Sequence, residues 1–513
     1  MDNLAATTIA ALVEAAANGY GDKVCAIAPE RSVTFRQFAA DVAAIADHLK
    51  GLGIAPGERV AILDVNSLNF LESLCALGVL GAVAVPLNYR QRVPEYRFQI
   101  ADSGARLLLA NSRYAAAGDE LAASLALGWR RIDDGAQIGL PGRAKDGPVR
   151  LSAPQPSSAL AICYTSGTTG RPKGAVIDQY TANLRALKMM YELRLGMDDV
   201  MHMTTPMFHI SCMILSLAAL QRGATQVILP QFDYEITFTA VRRHKVTFIN
   251  TVPTILGMAL ARDDFTPEIF AGLRLIMYTA APMSLALLRK LMTVYRGGLI
   301  QFLGQTEDLP QTVLTPEDHR GALAGIAPGR LESVGRASAG VDLMIRDNAG
   351  DALAQGQIGE IVTRAGTAMS GYWNLPEETA ATLKNGWVHS GDLGYQDGDG
   401  YVYLAGRKKH MIIRGGENVY PSEVEPILLA APGVRDAVIL GLPDETWGEI
   451  VVAAVVPEGR DADADAAAII AHCKSQLASY RCPERIFFVE EMPLNAAGKI
   501  LRHELAKQMI ARS

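Results

Sequence analysis

The chain lacks the features that mark several large classes of protein. Its six cysteines form no Cys-x-x-Cys pair, so the spacing indicates neither a zinc site nor a thioredoxin-type redox motif. The 48 Lys and Arg residues are interspersed with 54 Asp and Glu residues, and no basic block points to a nucleic-acid partner. The most apolar stretch, Leu74 to Leu87, is only about 14 residues long, too short for a transmembrane segment. No basic segment follows Met1, so a signal peptide is not indicated.

What remains is the composition of a large intracellular enzyme. At roughly 100–200 residues per domain, the 513 residues correspond to about three folding units. A hydrophobic content of 49% supplies ample core. Most cysteines stand in apolar runs, where a buried free thiol suits a reducing compartment. We therefore expect a cytoplasmic protein.

The first part of the chain alternates apolar strands with helices. The runs 59–64 and 105–110 are typical of buried strands, and Leu68–Leu80 has the length and periodicity of a helix. Near-continuous apolar strands separated by helices favour a parallel sheet covered on both faces. We predict an α/β fold with doubly wound sheets in a large N-terminal domain.

The pattern changes in the last third. From about Val334, short strands with Gly turns predict an antiparallel β subdomain. After Gly406 a compact α+β unit of about one hundred residues follows, a plausible separate domain. Helices are expected there at 422–430 and 464–479.

The stretch YTSGTTGRPKG, Tyr164 to Gly174, has the composition of a phosphate-binding loop. Glycines let backbone N–H groups approach phosphate oxygens, and the hydroxyls and Lys173 add donors and charge. It is not the P-loop pattern, which requires Gly-Lys-Ser/Thr at its end. The plainer interpretation is a surface loop rich in Gly, Ser and Thr. The apolar strands on either side favour the functional one.

Two acidic residues stand in turns that suit ligand binding. Glu307 ends Leu303-Gly304-Gln305-Thr306-Glu307 after a strand-like run, and its carboxylate offers the hard oxygen that Mg²⁺ prefers. Asp392 lies in Ser-Gly-Asp-Leu-Gly and could accept both hydroxyls of a ribose, with Arg407 in reach. Taken alone, Glu307 would be interpreted as a solvated loop carboxylate and Asp392 as an ordinary β-turn Asp, so each needs the other motifs for support.

Two further positions carry weaker signals. Lys499 lies 14 residues from the end of the sequence in PLNAAGK, where a solvated charge is the usual interpretation and a functional lysine on a Gly hinge the alternative. His209 follows Phe208 in PMFH and is interpreted as part of a pocket wall rather than as a base.

These stretches, in this order, resemble the adenylate-forming superfamily of acyl-CoA synthetases, adenylation domains and luciferases. The likeness runs from YRQRVPEY to NAAGKI. The phrases PMFH, LPQFD, GGENVYPSEVE and GLPDETWGEI are most similar to bacterial fatty-acyl-CoA synthetases. The resemblance implies an AMP-binding domain over residues 1–406 and a mobile C-terminal domain over 407–513.

The resemblance also implies a reaction in two steps. A carboxylate attacks the α-phosphate of ATP to give acyl-AMP and pyrophosphate, and the thiol of coenzyme A then displaces AMP. Mg²⁺ accompanies ATP. The implied partners are thus a small-molecule carboxylate, ATP and CoA, and a homodimer is a further expectation.

The implied roles of individual residues follow from the same resemblance. ATP would be bound by Thr165, Ser166, Gly167, Thr168, Thr169 and Lys173, by Ala280, Ala281, Pro282, Leu303 and Gly304 at adenine, and by Asp392 and Arg407 at ribose. The catalytic set would be Lys499, Thr306 and Glu307, with Thr165 and Glu307 holding Mg²⁺. The acyl pocket would include His209, Cys212 and Met283. The small domain would turn about Lys409 and present Gly415, Gly416, Glu417 and Asn418 to CoA.

Three positions depart from the family pattern. Leu303 replaces a Tyr that stacks on adenine, so ATP affinity is expected to fall, and the neighbouring Phe302 should point to the opposite side of the strand. His410 replaces an Asp, and Cys212 replaces a small Gly.

The motifs leave two questions: which carboxylic acid is the substrate, and whether CoA or a carrier protein accepts the acyl group. The residues near the expected pocket are apolar and include no Arg: Met207, Phe208, Ile210, Cys212 and Met283. This favours a hydrophobic monocarboxylate, whether fatty, alicyclic or aromatic, over a diacid. A stand-alone adenylation enzyme that loads a carrier protein is the main alternative, and a non-enzymatic nucleotide or acyl-ligand binder is a second one.

Overall fold

A computed structural model describes residues 7–139, 150–165, 171–279, 281, 283–459, 465–494 and 500–512. Contacts group the chain into one unit of Met1–Leu343 and Thr363–Val388 and another of Met344–Val362 and His389–Ser513. The boundary expected after residue 406 falls within the second unit and stays a prediction. Across the described residues, no helix has both the length and the apolar character needed to cross a membrane.

The helices of the described residues are short to medium in length. In chain order they are α1 Ile9–Tyr20, α2 Phe35–Gly51, α3 Leu68–Leu80, α4 Val93–Ser103, α5 Ala115–Leu125, α6 Gly135–Ile138, α7 Gln179–Glu192, α8 Ile210–Arg222, α9 Tyr234–Arg243, α10 Pro253–Leu260, α11 Leu285–Val294, α12 Pro316–Leu323, α13 Pro376–Thr382, α14 Pro421–Leu429, α15 Ala466–Lys474 and α16 Arg502–Ile510.

The strands alternate with these helices through most of the first unit. In chain order they are β1 Val24–Ile27, β2 Ser32–Thr34, β3 Arg59–Leu63, β4 Val83–Pro86, β5 Leu107–Ala110, β6 Gly128–Arg131, β7 Ala159–Thr165, β8 Lys173–Asp178, β9 Val200–Met203, β10 Thr225–Val227, β11 Phe248–Thr251, β12 Leu275–Tyr278, β13 Gly298–Leu303, β14 Thr312–Leu314, β15 Arg336–Ala337, β16 Asp342–Arg346, β17 Gly359–Arg364, β18 Gly371–Tyr372, β19 Leu383–Lys384, β20 Trp387–Gln396, β21 Val402–Arg407, β22 Ile412–Arg414, β23 Glu417–Val419, β24 Val434–Asp444, β25 Gly448–Pro457 and β26 Arg485–Phe488.

Helix α3 shows how local sequence sets an element. The Ser67 hydroxyl accepts a hydrogen bond from the Phe70 N–H at the start, and Gly81 closes the end in the left-handed conformation. Nearly every residue of the helix is buried. The helix predicted at Leu68–Leu80 is therefore confirmed at both ends.

Two mixed sheets form the framework of the first unit. The larger has the order β15-β14-β13-β12-β11-β9-β10-β1-β2, and the other β18-β8-β7-β4-β3-β5-β6. Their inner strands pair in parallel, as the alternation of strands and helices predicts. Antiparallel strands complete the edges, including β14 beside β13 and β8 beside β7. Buried side chains cover both faces of each sheet, which confirms the predicted α/β fold.

The second unit contains β-strands followed by an α+β region. Strands β20 and β21 pair antiparallel, as the Gly-punctuated pattern predicts. Strands β22 to β26 form a sheet with a separate apolar cluster on each face. The helix expected at 464–479 is shorter than predicted: α15 starts after the Asp465 cap and ends at Lys474, where a turn begins. Residue 464 lies outside the described residues.

Candidate active site

Thr165 and Lys173 lie side by side at the end of a β-hairpin. Strand β7 ends at Thr165 and β8 begins at Lys173, and these two residues are direct antiparallel partners. The Thr165 hydroxyl donates to the Lys173 carbonyl oxygen at 3.3 Å. The loop predicted to hold phosphate is thus the connection of this hairpin. Its residues Ser166, Gly167, Thr168 and Thr169 lie outside the described residues.

The Lys173 ammonium has two neighbours from a distant part of the chain. It forms an ion pair with the Glu378 carboxylate and lies 5.2 Å from the ring centroid of Tyr372, within the range of a cation–π contact. Only 17% of the Lys173 side chain is exposed. The ammonium is therefore held in a defined place.

Glu307 contacts the hydroxyl of the same tyrosine, whereas Lys173 contacts its ring. The Tyr372 hydroxyl donates to Oε1 of Glu307 at 2.5 Å. Burial, and then the charge of Glu307, raise the pKa of Tyr372, so the phenol remains a hydrogen-bond donor at neutral pH. Tyr372 stands in β18, which pairs with β8 just beyond Lys173. One aromatic side chain thus links the predicted phosphate-binding lysine to the predicted metal-binding glutamate.

A buried arginine fixes the backbone that carries Glu307. The Arg185 guanidinium donates to the carbonyl oxygens of Thr367 at 2.8 Å, Thr306 at 3.0 Å and Glu307 at 3.1 Å. Burial lowers the pKa of Arg185, while the charge of Asp308 opposes that shift. Because carbonyl groups removed from water need donors, the Arg185 guanidinium holds the Thr306–Glu307 backbone next to Thr367.

Asp308, the next residue, connects the same segment to two threonine side chains. Its two carboxylate oxygens accept hydrogen bonds from the hydroxyls of Thr363 and Thr367, each at 2.7 Å. The Met369 N–H also donates to the Glu307 carbonyl oxygen at 2.7 Å. The segment after β13 is therefore anchored to residues 363–369.

The predicted adenine segments share one edge of the large sheet. Strands β12 and β13 pair in parallel, with Tyr278 opposite Gln301, so the residues after both strands lie together. Thr279 donates to the Phe302 carbonyl oxygen at 3.1 Å. Leu303 is partly exposed, and Gly304 and Ala281 are exposed. Ala280 and Pro282 lie outside the described residues.

The expected orientation of Phe302 is confirmed. Phe302 is buried in the main core cluster, on the opposite side of the strand from Leu303. Leu303 is consequently the residue of β13 that takes the place of the missing aromatic ring. Gly304 packs closely against Leu309, since a Cβ added at Gly304 would lie 2.8 Å from the Leu309 Cβ.

The predicted acyl-pocket residues differ in exposure. His209 is exposed just before α8, with the Phe208 and His209 ring centroids 4.5 Å apart. Cys212 is fully buried within α8, and burial raises the pKa of its thiol to about 12. Met283 is half-buried against the cluster beneath α11. Cys212 therefore acts first as a neutral packing residue, and its role in a pocket stays a prediction.

Two predicted ribose ligands lie together in the second unit. Asp392 and Arg407 are direct partners on β20 and β21, and Nε of Arg407 lies 2.5 Å from Oδ1 of Asp392. The Asp392 N–H donates to the Ser390 hydroxyl at 3.0 Å. The hairpin explains how residues 15 positions apart in sequence come to share one site.

The predicted hinge begins immediately after this hairpin. Lys409 lies in a short 3₁₀ turn, Lys408–His410. Burial, and then the neighbouring positive charges of Arg502 and Lys409, lower the pKa of His410 to about 3. The imidazole at this departure from the family pattern is therefore neutral at neutral pH.

The predicted CoA face contains a tight glycine turn. Gly415 and Gly416 join β22 to β23 with φ of 57° and 86°, a conformation that favours glycine. The Gly415 N–H donates to the Trp447 carbonyl oxygen at 2.8 Å, and a Cβ at Gly415 would lie 2.8 Å from the Trp447 ring. Glu417 follows and is exposed.

Comparison with known proteins identifies the family. The model of the AMP-binding enzyme family matches residues 13–373, and that of the AMP-binding enzyme C-terminal domain matches residues 423–499. The chain belongs to the AMP-binding enzyme family. This confirms the resemblance to the adenylate-forming superfamily.

The relatives of this AMP-binding enzyme include several CoA ligases. The indoleacetate–CoA ligase of Aromatoleum aromaticum is 36% identical over 500 residues, 94% of each chain. The long-chain-fatty-acid–CoA ligase FadD13 of Mycobacterium tuberculosis is 34% identical over 485 residues, 93% of each chain. The structure of o-succinylbenzoate CoA synthetase MenE from Bacillus subtilis with its acyl-adenylate intermediate is 28% identical, covers 96% of this chain and 97% of that one, and has a TM-score of 0.84.

These likenesses define the reaction type of the AMP-binding enzyme. It is an AMP-forming acyl-CoA synthetase that uses ATP, Mg²⁺ and CoA. Among the described residues, no group of three or more His, Cys, Asp or Glu could hold a metal ion. One carboxylate and one hydroxyl nevertheless fit Mg²⁺ that arrives with ATP, since this ion is commonly held by one or two carboxylates together with substrate phosphates.

Three residues of the AMP-binding enzyme that contact the predicted site were not predicted from the sequence. Tyr372, Glu378 and Arg185 contact the predicted site, yet none belongs to a motif that sequence reasoning selected. The sequence carried two usable signals: the adjacent aromatics in Gly371-Tyr372-Trp373, and an arginine on the apolar side of a helix at Arg185.

Proposed function

We propose that the acid is a hydrophobic monocarboxylate, fatty, alicyclic or aromatic, which the enzyme joins to CoA through an acyl-AMP intermediate. The arrangement of Lys173, Tyr372 and Glu307 supports the acyl-AMP step best, because it brings together a cation and a carboxylate suited to ATP phosphates and Mg²⁺. A carboxylate oxygen of the acid bonds to the α-phosphorus, and pyrophosphate leaves. The CoA sulfur then bonds to the acyl carbon, AMP leaves, and the thiol proton goes to solvent.

The phosphate end of ATP is assigned to the hairpin and the anchored loop. Lys173 and residues 166–169 hold the β- and γ-phosphates, while the Thr165 hydroxyl and the Glu307 carboxylate hold Mg²⁺, with Thr306 beside them. When bound, Mg²⁺ neutralises charge on the phosphates. The Arg185 bonds keep Glu307 in place without reorganisation during the reaction, which is the condition for electrostatic catalysis.

The other ends of ATP are assigned to separate elements. Ala280, Ala281, Pro282, Leu303 and Gly304 line the adenine site. Asp392 accepts the ribose hydroxyls beside Arg407. We assign to Lys499, which lies outside the described residues, the contact that bridges the α-phosphate and the attacking carboxylate. Lys409 is the proposed hinge, and Gly415, Gly416 and Glu417 the proposed CoA face.

The class of acid follows from the charge of the pocket candidates. Met207, Ile210 and Cys212 are buried, and no arginine stands among these residues, Phe208 and Met283. A second carboxylate in such surroundings would lack a cationic partner. The pocket therefore favours an acid with one carboxylate and an apolar body.

We propose a cytoplasmic location for this reaction and a homodimer as its assembly. The six cysteines are buried free thiols, as expected in a reducing compartment. Sedimentation of the purified protein measures the assembly directly.

A panel of fatty, alicyclic, aromatic and dicarboxylic acids, scored by release of AMP and pyrophosphate, tests the proposed function. We expect turnover with one hydrophobic class and none with the diacids. Formation of ADP in place of AMP would exclude the mechanism. Replacing CoA with a phosphopantetheinyl carrier protein identifies the acceptor, and a clear preference for the carrier would overturn the CoA assignment.

A further inference from the structure

The ion pair between Lys173 and Glu378 occupies the ammonium that is assigned to the phosphates. The Glu378 side chain is 42% exposed, whereas that of Lys173 is 17% exposed. The glutamate therefore reaches the lysine from the solvent side. Tyr372 covers another side of the same ammonium.

The backbone beside Glu378 is tied to the site. Glu378 lies in the first turn of α13, and the next residue, Thr379, accepts a hydrogen bond from the Tyr372 N–H at 2.8 Å. The bond from the Tyr372 N–H to the Thr379 hydroxyl thus holds α13 next to β18, and the partly exposed Glu378 side chain has solvent into which it can turn. The Glu378 carboxylate remains close to Lys173 whether or not the two are paired.

A carboxylate and a phosphate group compete for the same donor. An ammonium has three N–H groups and no fixed geometry, and one side of the Lys173 ammonium is taken by the aromatic ring. A phosphate that approaches Lys173 must displace Glu378 or accept its charge nearby, since like charges at short range repel. Glu378 is therefore placed to oppose the binding of polyphosphate at Lys173.

We propose that Glu378 is a positioning residue that exchanges with pyrophosphate at Lys173 and so promotes its release. While ATP is bound, Lys173 contacts the β- and γ-phosphates. As pyrophosphate departs, the Glu378 carboxylate takes back the ammonium and lowers the affinity for the product. No covalent bond changes in this exchange. The inference rests on the proposed phosphate-binding role of Lys173.

The variant Glu378→Gln tests the exchange, because it keeps the shape of the side chain and removes its charge. A surface ion pair changes an affinity by at most about fivefold, and because the Lys173 side chain is only 17% exposed, a change in the upper part of this range, about three- to fivefold, is expected. Product inhibition by pyrophosphate should become stronger by this factor, and the KM for ATP should fall. Thioester formation from supplied acyl-AMP should be unchanged. Glu377→Gln, an exposed neighbour in the same turn, is the matched control and should show neither effect.

The variant Lys173→Met separates this inference from the function on which it rests. If Lys173 holds phosphates, this variant alone weakens inhibition by pyrophosphate, and adding Glu378→Gln to it has little further effect. If Lys173→Met leaves pyrophosphate binding unchanged, the proposed role of Lys173 is wrong. The proposed exchange with Glu378 is then wrong as well. If Lys173→Met weakens binding but Glu378→Gln leaves it unchanged or weakens it, only the exchange is wrong.

Discussion

The phenol of Tyr372 donates a 2.5 Å hydrogen bond to Oε1 of Glu307. The same ring lies 5.2 Å from the Lys173 ammonium. These two relationships use different parts of one side chain, the hydroxyl for the carboxylate and the ring face for the cation. The effect of removing only the hydroxyl can therefore be distinguished from the effect of removing the whole side chain.

We expect Tyr372→Phe to impair acyl-AMP formation selectively. The ring remains for Lys173, but Glu307 loses a donor, and hydrogen bonds to charged groups are worth about 1.5–3 kcal/mol. The rate of pyrophosphate release should fall at least about tenfold, and more Mg²⁺ should be needed for half-maximal rate. Tyr191→Phe, at a residue that is 68% exposed, is the control. An unchanged Mg²⁺ dependence would contradict the role of this hydroxyl.

Arg185→Lys should lower both stability and activity. Lysine retains the charge but cannot reach three carbonyl oxygens in the planar geometry of a guanidinium. The Thr306 and Thr367 carbonyl groups would lose their guanidinium donor, whereas the Glu307 carbonyl keeps the Met369 N–H. The loss should destabilise the protein by about 2–4 kcal/mol. Urea unfolding measures this loss. Arg194→Lys, at a largely exposed arginine paired with Glu317, should change stability by no more than about 0.5 kcal/mol.

A specific effect of Arg185 on catalysis can be distinguished from partial unfolding. At a temperature where the Arg185→Lys variant is folded, its kcat for acyl-AMP formation should fall while thioester formation from supplied acyl-AMP is retained. Equal losses in both half-reactions would indicate a purely structural role.

The sequence predicted the local parts of this site and missed the non-local ones. Thr165, Lys173 and Glu307 stand in short motifs, and the residues next to them in the sequence indicate their chemistry. Tyr372 reaches them only because β18 pairs with β8, a contact between segments about two hundred residues apart in sequence. Strand pairing at such separation is not encoded in any local pattern. For this reason the groups that hold Lys173 and Glu307 in place required the structure.

The same distinction applies to the fold. Length and apolar periodicity predicted helix α3 at Leu68–Leu80, and its ends agree because Ser67 and Gly81 cap them. Helix α15 was predicted too long because residues 475–482 contain no glycine or proline to mark the stop. Its C-terminal end is set by the turn at Ser475 and by packing of Cys473 into the cluster that covers the sheet.

Two buried histidines predict a loss of stability in mild acid. Burial lowers the pKa of His202 and of His319 to about 4, below the usual value of about 6.5. Between these values the unfolded chain binds protons that the folded protein excludes, so the free energy of unfolding decreases as pH falls. The contribution is fully present above about pH 6.5 and lost by about pH 4.

Thermal unfolding from pH 4 to 8 measures this dependence. The His319→Gln variant should show a shallower decrease between pH 6.5 and 4, although it loses some stability at pH 8 because His319 bonds to the Tyr278 hydroxyl. His472→Gln, at a more exposed histidine on α15, should leave the slope unchanged. An identical slope in the wild type and the His319→Gln variant would refute the assignment.

Leu303→Tyr should strengthen ATP binding. Leu303 is partly exposed at the end of β13, and Phe302 is buried on the other side, so no aromatic ring of this strand is available to adenine. A base stacked on an aromatic side chain gains about 1–3 kcal/mol, and the KM for ATP should fall by about fivefold or more. Leu303→Met adds no ring and should leave the KM unchanged. A KM that rises in the tyrosine variant would place adenine elsewhere.

Lys499→Ala should separate the two half-reactions. A positive charge that bridges the α-phosphate and the attacking carboxylate acts only while the P–O bond forms, and removing such preorganised stabilisation costs about 10²–10³ in rate. Acyl-AMP formation should therefore fall by about that factor, whereas CoA should still react with supplied acyl-AMP at nearly the wild-type rate. Lys507→Ala, at an exposed lysine on α16, is the control for loss of a C-terminal charge. Because the thioester step needs no charge at a departing pyrophosphate, a parallel loss of both half-reactions would show that Lys499 supports the domain rather than the first reaction.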